Sequence, residues 1–418
     1  MVEPTFEGSI GDINQRQLEF IKSVIEENGF GGAKVNVEVV GKADDNYMAT
    51  VKRITAEKDG NTFKMVAKIA SSVEQLRMAM NTAMAFRNES VMYTEVFPKF
   101  TDLEITAGVP KSERLRYAAC YGCLLEEPNE VILLEDLKES NYVILDKSKS
   151  LENEAIKLIL KNFARLHSLS FALMHIDPQT YTEFKGKVID IWQAGPNIEQ
   201  MTTFLVELET ELLGILDDEK YRRPFRGLIS NMFALSKKYQ EHEKYSVIIQ
   251  GDPWTNNIMF QLQDDKPVEC CMIDYQISRF GNPANDLHYM IFNCTDYETR
   301  KKHYLDWIDY YHTELDHCLD NFGLKVNFIY PKDKFDADLK RYSKLGLVLS
   351  AMLGNVLVRK SEDAVKMKEN MQKNLGGDIE QFIESGKVTN LDDNTIYKYK
   401  KRMEGVIDSF AELGFISV

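Results

Sequence analysis

Gln250-Gly251-Asp252-Pro253-Trp254-Thr255-Asn256-Asn257, followed by Met272-Ile273-Asp274-Tyr275-Gln276, is the most informative stretch of the 418-residue chain. A short apolar run, Val247-Ile248-Ile249, precedes it and reads as a strand. Residues 258–263 and 268–274 read as a hairpin around Asp264-Asp265-Lys266-Pro267. The result is an Asp-x-x-x-x-Asn loop between a strand and a hairpin, with a second aspartate, Asp274, where the hairpin ends. Asp, Asn and Gly favour turns for local reasons alone, so an isolated Asp-x-x-x-x-Asn carries little. Here both ends of the loop are defined, and Asp286 follows twelve positions after Asp274.

Protein kinases carry the same arrangement: a catalytic Asp, an Asn five residues later, and a metal-binding Asp after a short hairpin. The residue types suit phosphoryl transfer. A carboxylate, Asp252, can orient an acceptor hydroxyl and take its proton. Mg²⁺ is a hard ion that prefers oxygen, which the Asn257 side-chain carbonyl and the Asp274 carboxylate supply. Such a centre needs a cation from the first part of the chain. Lys68 closes Met65-Val66-Ala67-Lys68, in a run (63–69) whose alternation puts Val66 and Lys68 on one face. This run resembles the Val-Ala-Ile-Lys strand of kinases. Glu89, on the helix face shared by Phe86 and Tyr93, is the candidate to hold Lys68, with Glu74 and Glu95 as alternatives. Taken singly, any such Lys or Glu is more often a solvated surface group.

The layout supports two lobes. Residues 12–30 are helical in pattern, with Leu18, Ile21 and Ile25 in register and Gly29 at the expected C-cap. Strands are expected over 35–39, 47–54 and 63–69. Ser71-x-x-Glu74 has the form of a capping box opening an amphipathic helix to residue 95, stopped by Pro98. Strands over 114–124 and 131–134 follow. After Asp136 the chain turns helical, over 151–173, 200–217, 225–242 and from 285 onward, with 374–393 as a loop or short helices. The fold class is α+β: a bilobal protein-kinase-like fold with a small strand-rich lobe (1–135) and a larger, mainly helical lobe (136–418), and a cleft between them.

Composition narrows the partners. The hydrophobic share of 44% is ample for more than one core, and the net charge is −14. No Lys/Arg block stands out, which argues against nucleic acid. A nucleotide can still bind an acidic protein where Mg²⁺ and placed cations neutralise it locally. Met1-Val2-Glu3-Pro4 leads into polar residues without the basic and apolar segments of a signal peptide. No apolar run approaches the roughly 20 residues that span a bilayer. Six cysteines imply no disulfide framework. Cys120-x-x-Cys123 lacks a second ligand pair for zinc and reads as structural thiols on a strand. A cytoplasmic, reduced protein that meets neither nucleic acid nor membrane is expected; its oligomeric state is left open.

Taken together, these residues resemble the ecdysteroid kinase-like family, the "CHK kinase-like" branch related to choline kinases and aminoglycoside phosphotransferases. The resemblance runs from about residue 30 to the C-terminus. Asp45-Asn46-Tyr47 is similar to the family's turn over the phosphates. Phe86-x-x-Glu89-x-x-x-Tyr93-x-x-x-x-Pro98 is similar to its lysine-pairing helix, and Leu134-Glu135-Asp136-Leu137 to its hinge. Gly251 to Asn257 and Ile273-Asp274-Tyr275-Gln276 resemble its catalytic and metal motifs. Tyr399-x-x-Arg402 and Glu412-Leu413-Gly414-Phe415 resemble its terminal helix.

The resemblance implies ATP and Mg²⁺ as cofactors and a small-molecule alcohol as acceptor: an ecdysteroid or another steroid-like or xenobiotic alcohol. It implies Asp252 as base, Asn257 and Asp274 as metal ligands, Lys68 on the α/β-phosphates and Glu89 orienting Lys68. Asn46 would meet the phosphates, backbone groups of Leu134, Glu135 and Leu137 the adenine, and Asp286 would support the catalytic loop. Tyr289, Phe292, Trp307 and Tyr311 are candidates for the acceptor pocket. Two departures matter: Gln250 stands where the family usually has His, and Asp44 where it usually has Gly. They keep open a weak or inactive pseudokinase that binds nucleotide or acts as a scaffold. A choline- or aminoglycoside-type kinase is a third reading, marked by carboxylates around the acceptor.

Overall fold

The computed structural model describes residues 3–41, 49–194, 198–241, 243–374, 383–384 and 386–417. The expectations at Asp44, Asp45, Asn46 and Tyr47 lie outside the described residues.

Six strands form the first sheet: β1 (Thr5–Gly8), β2 (Lys34–Val39), β3 (Ala49–Lys58), β4 (Asn61–Ala70), β5 (Cys120–Leu124) and β6 (Val131–Glu135). They lie in the order β1-β2-β3-β4-β6-β5, antiparallel except for β1 and β2. Asp59 and Gly60, both at positive φ, close the β3–β4 hairpin, as a tight Asp-Gly turn requires. Alternation divides the sheet into two faces. Met65, Ala67, Ile69, Val131 and Leu133 pack with Ile21, Val24 and Ile25 of helix Gln15–Ile25. Ile132 and Leu134 point the other way, into the larger core with Phe86, Tyr93 and Phe97.

The helix expected from 74 to 95 differs from the pattern. It breaks at Asn81, whose left-handed backbone (φ 50) separates Glu74–Ala79 from Thr82–Val91. The capping box does not form; the Ser71 hydroxyl accepts the Val73 N–H instead (3.2 Å). Pro98 starts a helix rather than stopping one. A single π-turn, Met92–Val96, leads into Phe97–Thr106, and Pro98 falls in that first turn, where its missing N–H costs little. Residues 114–119 are not in the sheet; only Cys120–Leu124 pairs.

In the larger, mainly helical lobe, β7 (Tyr142–Ile144) joins the hairpin β9 (Ile258–Gln263) and β10 (Lys266–Met272), while β8 (Val247–Ile249) pairs with β11 (Arg279–Gly281). The β8–β11 register sets Ile249 opposite Arg279, so the loops 250–257 and 273–278 emerge side by side. Helices Asn153–Ile176, Tyr297–Asp320, Lys332–Leu357 and Asp393–Glu412 supply most of the surrounding core. Among the described residues no helix is long and apolar enough to cross a membrane.

Candidate functional site

Lys68 lies on β4 between Val51 of β3 and Ile132 of β6. Its ammonium donates to Glu89 (2.5 Å), Asp274 (2.7 Å) and the Gln276 side-chain carbonyl (3.0 Å). Burial alone would lower the Lys68 pKa, but Asp274 and Glu89 outweigh it and hold the ammonium above its usual value. The second Glu89 oxygen accepts the Tyr275 N–H (3.2 Å). Its neighbour Asn88 donates to the carbonyls of Gln276 (3.2 Å) and Ser278 (2.7 Å). Helix Thr82–Val91 therefore grips both the lysine and the loop that carries Asp274.

The Asp252 loop is held from below. Asp286, in the first turn of helix Pro283–Cys294, accepts the N–H groups of Gln250 (2.8 Å) and Gly251 (3.0 Å) and faces His167 Nε2 at 3.3 Å. The Gln250 side chain donates to the carbonyls of Ile273 and Asp274 (3.0 Å each) and accepts the Asp252 N–H (2.6 Å). One glutamine thus stitches the Asp252 loop to the Asp274 loop. Gly251 has φ +89, and a Cβ there would lie 2.5 Å from the Ile277 carbonyl oxygen, so a side chain is excluded.

Both oxygens of Asp252 are engaged: Oδ1 by the Tyr289 hydroxyl and Oδ2 by Asn257 Nδ2 (2.9 Å). Burial pushes the Asp252 carboxyl up to about 7; Tyr289 and Asn257 oppose the rise, and the negative charge of Asp274 adds to it. The Asn257 amide also donates to the Asp252 carbonyl (3.0 Å), which leaves the Asn257 side-chain oxygen as the group suited to a metal.

A cavity of about 1130 Å³ joins the two halves and is lined by Lys68, Glu89, Leu134, Glu135, Leu137, Asp252, Asn257 and Asp274 together. Val51, Val66, Ala118, Leu134, Leu137 and Ile273 are among its apolar lining beside the hinge, and Phe204, Met232, Leu345, Leu349, Met352 and Leu353 among that toward helix Lys332–Leu357. The Glu135 carboxylate is turned to Arg116 (2.6 and 3.0 Å), and its N–H to the Ala119 carbonyl (2.8 Å). Glu74 is exposed and Glu95 pairs with Lys187, which leaves Glu89 as the partner of Lys68.

Of the four aromatic candidates only Tyr289 lines the cavity. Phe292 packs on Phe410, Trp307 donates to Asn153 (2.8 Å) and Tyr311 meets His167 (2.8 Å), all three fully buried in the helical core. Trp307 and Tyr311 of helix Tyr297–Asp320 both meet helix Asn153–Ile176. Two cavity residues, Gln276 and Arg279, were given no role, and the pairing of Tyr289 with Asp252 was not foreseen. Gln276 and Arg279, whose guanidinium lies against Gly251, look like ordinary surface polars in the sequence. Tyr289 was detectable as a partner of Asp252: three residues after Asp286, it shares that residue's helix face.

The model of the ecdysteroid kinase-like family matches residues 43–324, well over half of the chain. The chain belongs to that family. No curated protein matches this ecdysteroid kinase-like chain. Among solved structures it is similar to the GDP complex of a wild-type aminoglycoside 2′-phosphotransferase (12% identity, 90% of this chain and 100% of the other, TM-score 0.41). It is also similar to an ethanolamine kinase of Plasmodium vivax (11% identity, 87% and 84%, TM-score 0.40). A third likeness is to a choline kinase of Streptococcus pneumoniae (10% identity, 94% and 100%, TM-score 0.39). At these identities and scores the family match carries the assignment. It places the chain in a kinase-like family.

Proposed function

We propose that this chain transfers the γ-phosphoryl group of ATP, with Mg²⁺, to a hydroxyl of a predominantly apolar small molecule. The observation that carries the reading is the Lys68 ammonium bonded at once to Glu89 and Asp274, in the cavity that also holds Asp252. The hard oxygens of Asn257 and Asp274 fit Mg²⁺, which would draw charge from the phosphates during transfer. Lys68 would exchange Asp274 for phosphate oxygens while Glu89 keeps it in place. Asp252 would align the acceptor hydroxyl and take its proton. The aliphatic slot beside the hinge suits adenine. With the Glu135 N–H already bonded to Ala119, base recognition falls to the neighbouring peptide groups. We put the lobe boundary between residues 135 and 136, and the six free thiols suit a cytoplasmic setting.

The acceptor wall built by Leu345, Leu349, Met352, Leu353, Phe204 and Met232 favours an apolar alcohol, steroid-like or xenobiotic, over a cationic one. Of the carboxylates that line the cavity beyond the phosphate-transfer groups, Glu135 and Asp136 are engaged by Arg116 and Arg53, and Asp190 accepts from Gln240 (2.5 Å). A screen with γ-labelled ATP, Mg²⁺ and two alcohol panels tests the reading. The expected result is label on steroid-like or other apolar alcohols. Label only on choline, ethanolamine or aminoglycosides would overturn the acceptor class. Stabilisation by Mg-ATP with no product in either panel would favour a non-catalytic nucleotide-binding protein.

A further inference from the structure

Cys120 and Cys123 are three residues apart on one strand, a spacing that in a regular strand puts side chains on opposite faces. The β5–β6 register removes that separation. Cys120 pairs with Leu134, Gly122 with Leu133 and Cys123 with Ile132, so Tyr121 is an extra residue in a bulge. Leu134 and Ile132 are two apart and share a face, and their partners Cys120 and Cys123 therefore share it too. The sulphurs are 3.6 Å apart, in contact and unbridged.

This face adjoins the proposed nucleotide site through Lys68 and Leu134, which line the cavity. Lys68 pairs with Ile132, so Cys123, Ile132 and Lys68 form one row across three strands. Leu134, the partner of Cys120, lines the cavity at the hinge. Both thiols are half-buried, whereas Cys270, Cys271, Cys294 and Cys318 are buried. Within the pair, the hydrogen bond from Cys123 lowers the Cys120 thiol below its usual pKa, favouring the thiolate that reacts with oxidants.

We propose that Cys120 and Cys123 form a reversible redox site, closed to a disulfide by hydroperoxides, whose closure weakens nucleotide binding at Lys68 and Glu89. The Cys120 thiolate attacks a peroxide oxygen, breaking the O–O bond to give a sulfenic acid and hydroxide, which takes the proton released by the thiol. The Cys123 thiol then attacks the sulfenic sulphur; the S–S bond forms, the S–O bond breaks and water leaves. Two thiols and one hydrogen peroxide give one disulfide and two waters. Drawing the sulphurs together pulls on the bulge between the hinge strand and the helix that carries Glu89. The disulfide itself stands apart from the proposed function; only its effect on nucleotide rests on that reading.

The test treats the full chain with stoichiometric hydrogen peroxide and maps thiols by peptide mass. The expected product is the peptide containing Cys120 and Cys123 short of two hydrogens, restored by dithiothreitol and absent in both Cys120→Ser and Cys123→Ser. Sulfinic acid at either position, or oxidation elsewhere first, overturns the site. Mg-ATP affinity is then compared in reduced, oxidised and Cys123→Ser chains. Loss of about fivefold or more on oxidation, with Cys123→Ser unaffected by peroxide, supports the coupling. Equal affinity before and after oxidation overturns it. Absence of nucleotide binding by the reduced chain counts against the proposed function and leaves the disulfide result standing.

Discussion

Asp252 holds two hydrogen bonds of different kinds, a phenol on Oδ1 and an amide on Oδ2. The phenol stabilises the ionised carboxylate, which burial has already pushed up to about 7. Tyr289→Phe removes that stabilisation and raises the carboxyl further. Fewer molecules then carry the ionised base at neutral pH, so kcat/KM should fall about tenfold there and recover as the pH rises. A pH–rate profile superimposable on wild type would contradict the assignment. Asp274→Ala would remove the proposed metal ligand and release Lys68 from one partner, so Mg-ATP affinity should drop, as titration calorimetry would read. Unchanged Mg²⁺ dependence would contradict that role. Much of this was legible, because Asp252, Asn257, Asp274 and Lys68 stand in strands and loops whose order alone suggests chemistry. That Gln250 can donate and accept was readable from its type; which groups it joins was not. Its three bonds join segments more than twenty residues apart, and only the folded register of β8 against β11 brings them together.

At the scale of elements, long periodic segments were readable and local geometry was not. β3 and β4 each run ten residues and declare themselves by alternation. β1, β7 and β11 span only three or four residues, too few for a period to register. The bulge in β5 leaves no signature in Cys-Tyr-Gly-Cys, so the two thiols read only as structural thiols on a strand. Helix Phe97–Thr106 carries a further consequence. Glu104 is buried and accepts the Leu115 N–H (2.8 Å), and burial pushes its carboxyl up to about 7 from an ordinary 4.5. A raised folded-state pKa contributes stability that is full below about 4.5 and is lost as pH climbs through 7. Glu104→Gln keeps the acceptor and removes the charge. It should match wild type near pH 4 and exceed it at pH 8 by up to about 3 kcal/mol. Urea unfolding at both pH values is the check; a variant less stable at pH 8 would show that Arg114 and Arg165 sustain the charged form.

Across the whole molecule, segregation of strands before residue 136 and helices after it predicted two lobes, and the cavity between them has walls from both. Which side chains face it could not be read, since Phe292, Trp307 and Tyr311 have the same helical spacing as a pocket lining and turn instead into the core. The cavity wall proposed for the acceptor draws Leu345, Leu349, Met352 and Leu353 from helix Lys332–Leu357, a region the sequence marks only as helical. Leu349→Asp should reduce kcat/KM for an apolar alcohol by about tenfold or more, by placing a charge where apolar surface must be buried. Mg-ATP affinity should be unchanged; equal loss of both would indicate a general disruption of the cavity.

The most direct test of the phosphotransfer centre is Asp252→Asn, measured for Mg-ATP affinity by calorimetry and for single-turnover γ-phosphoryl transfer to an alcohol that wild type accepts. The account predicts affinity close to wild type and transfer slower by about 10²–10⁴-fold, because alignment and proton removal are lost while the nucleotide contacts remain. Transfer at the wild-type rate would contradict it.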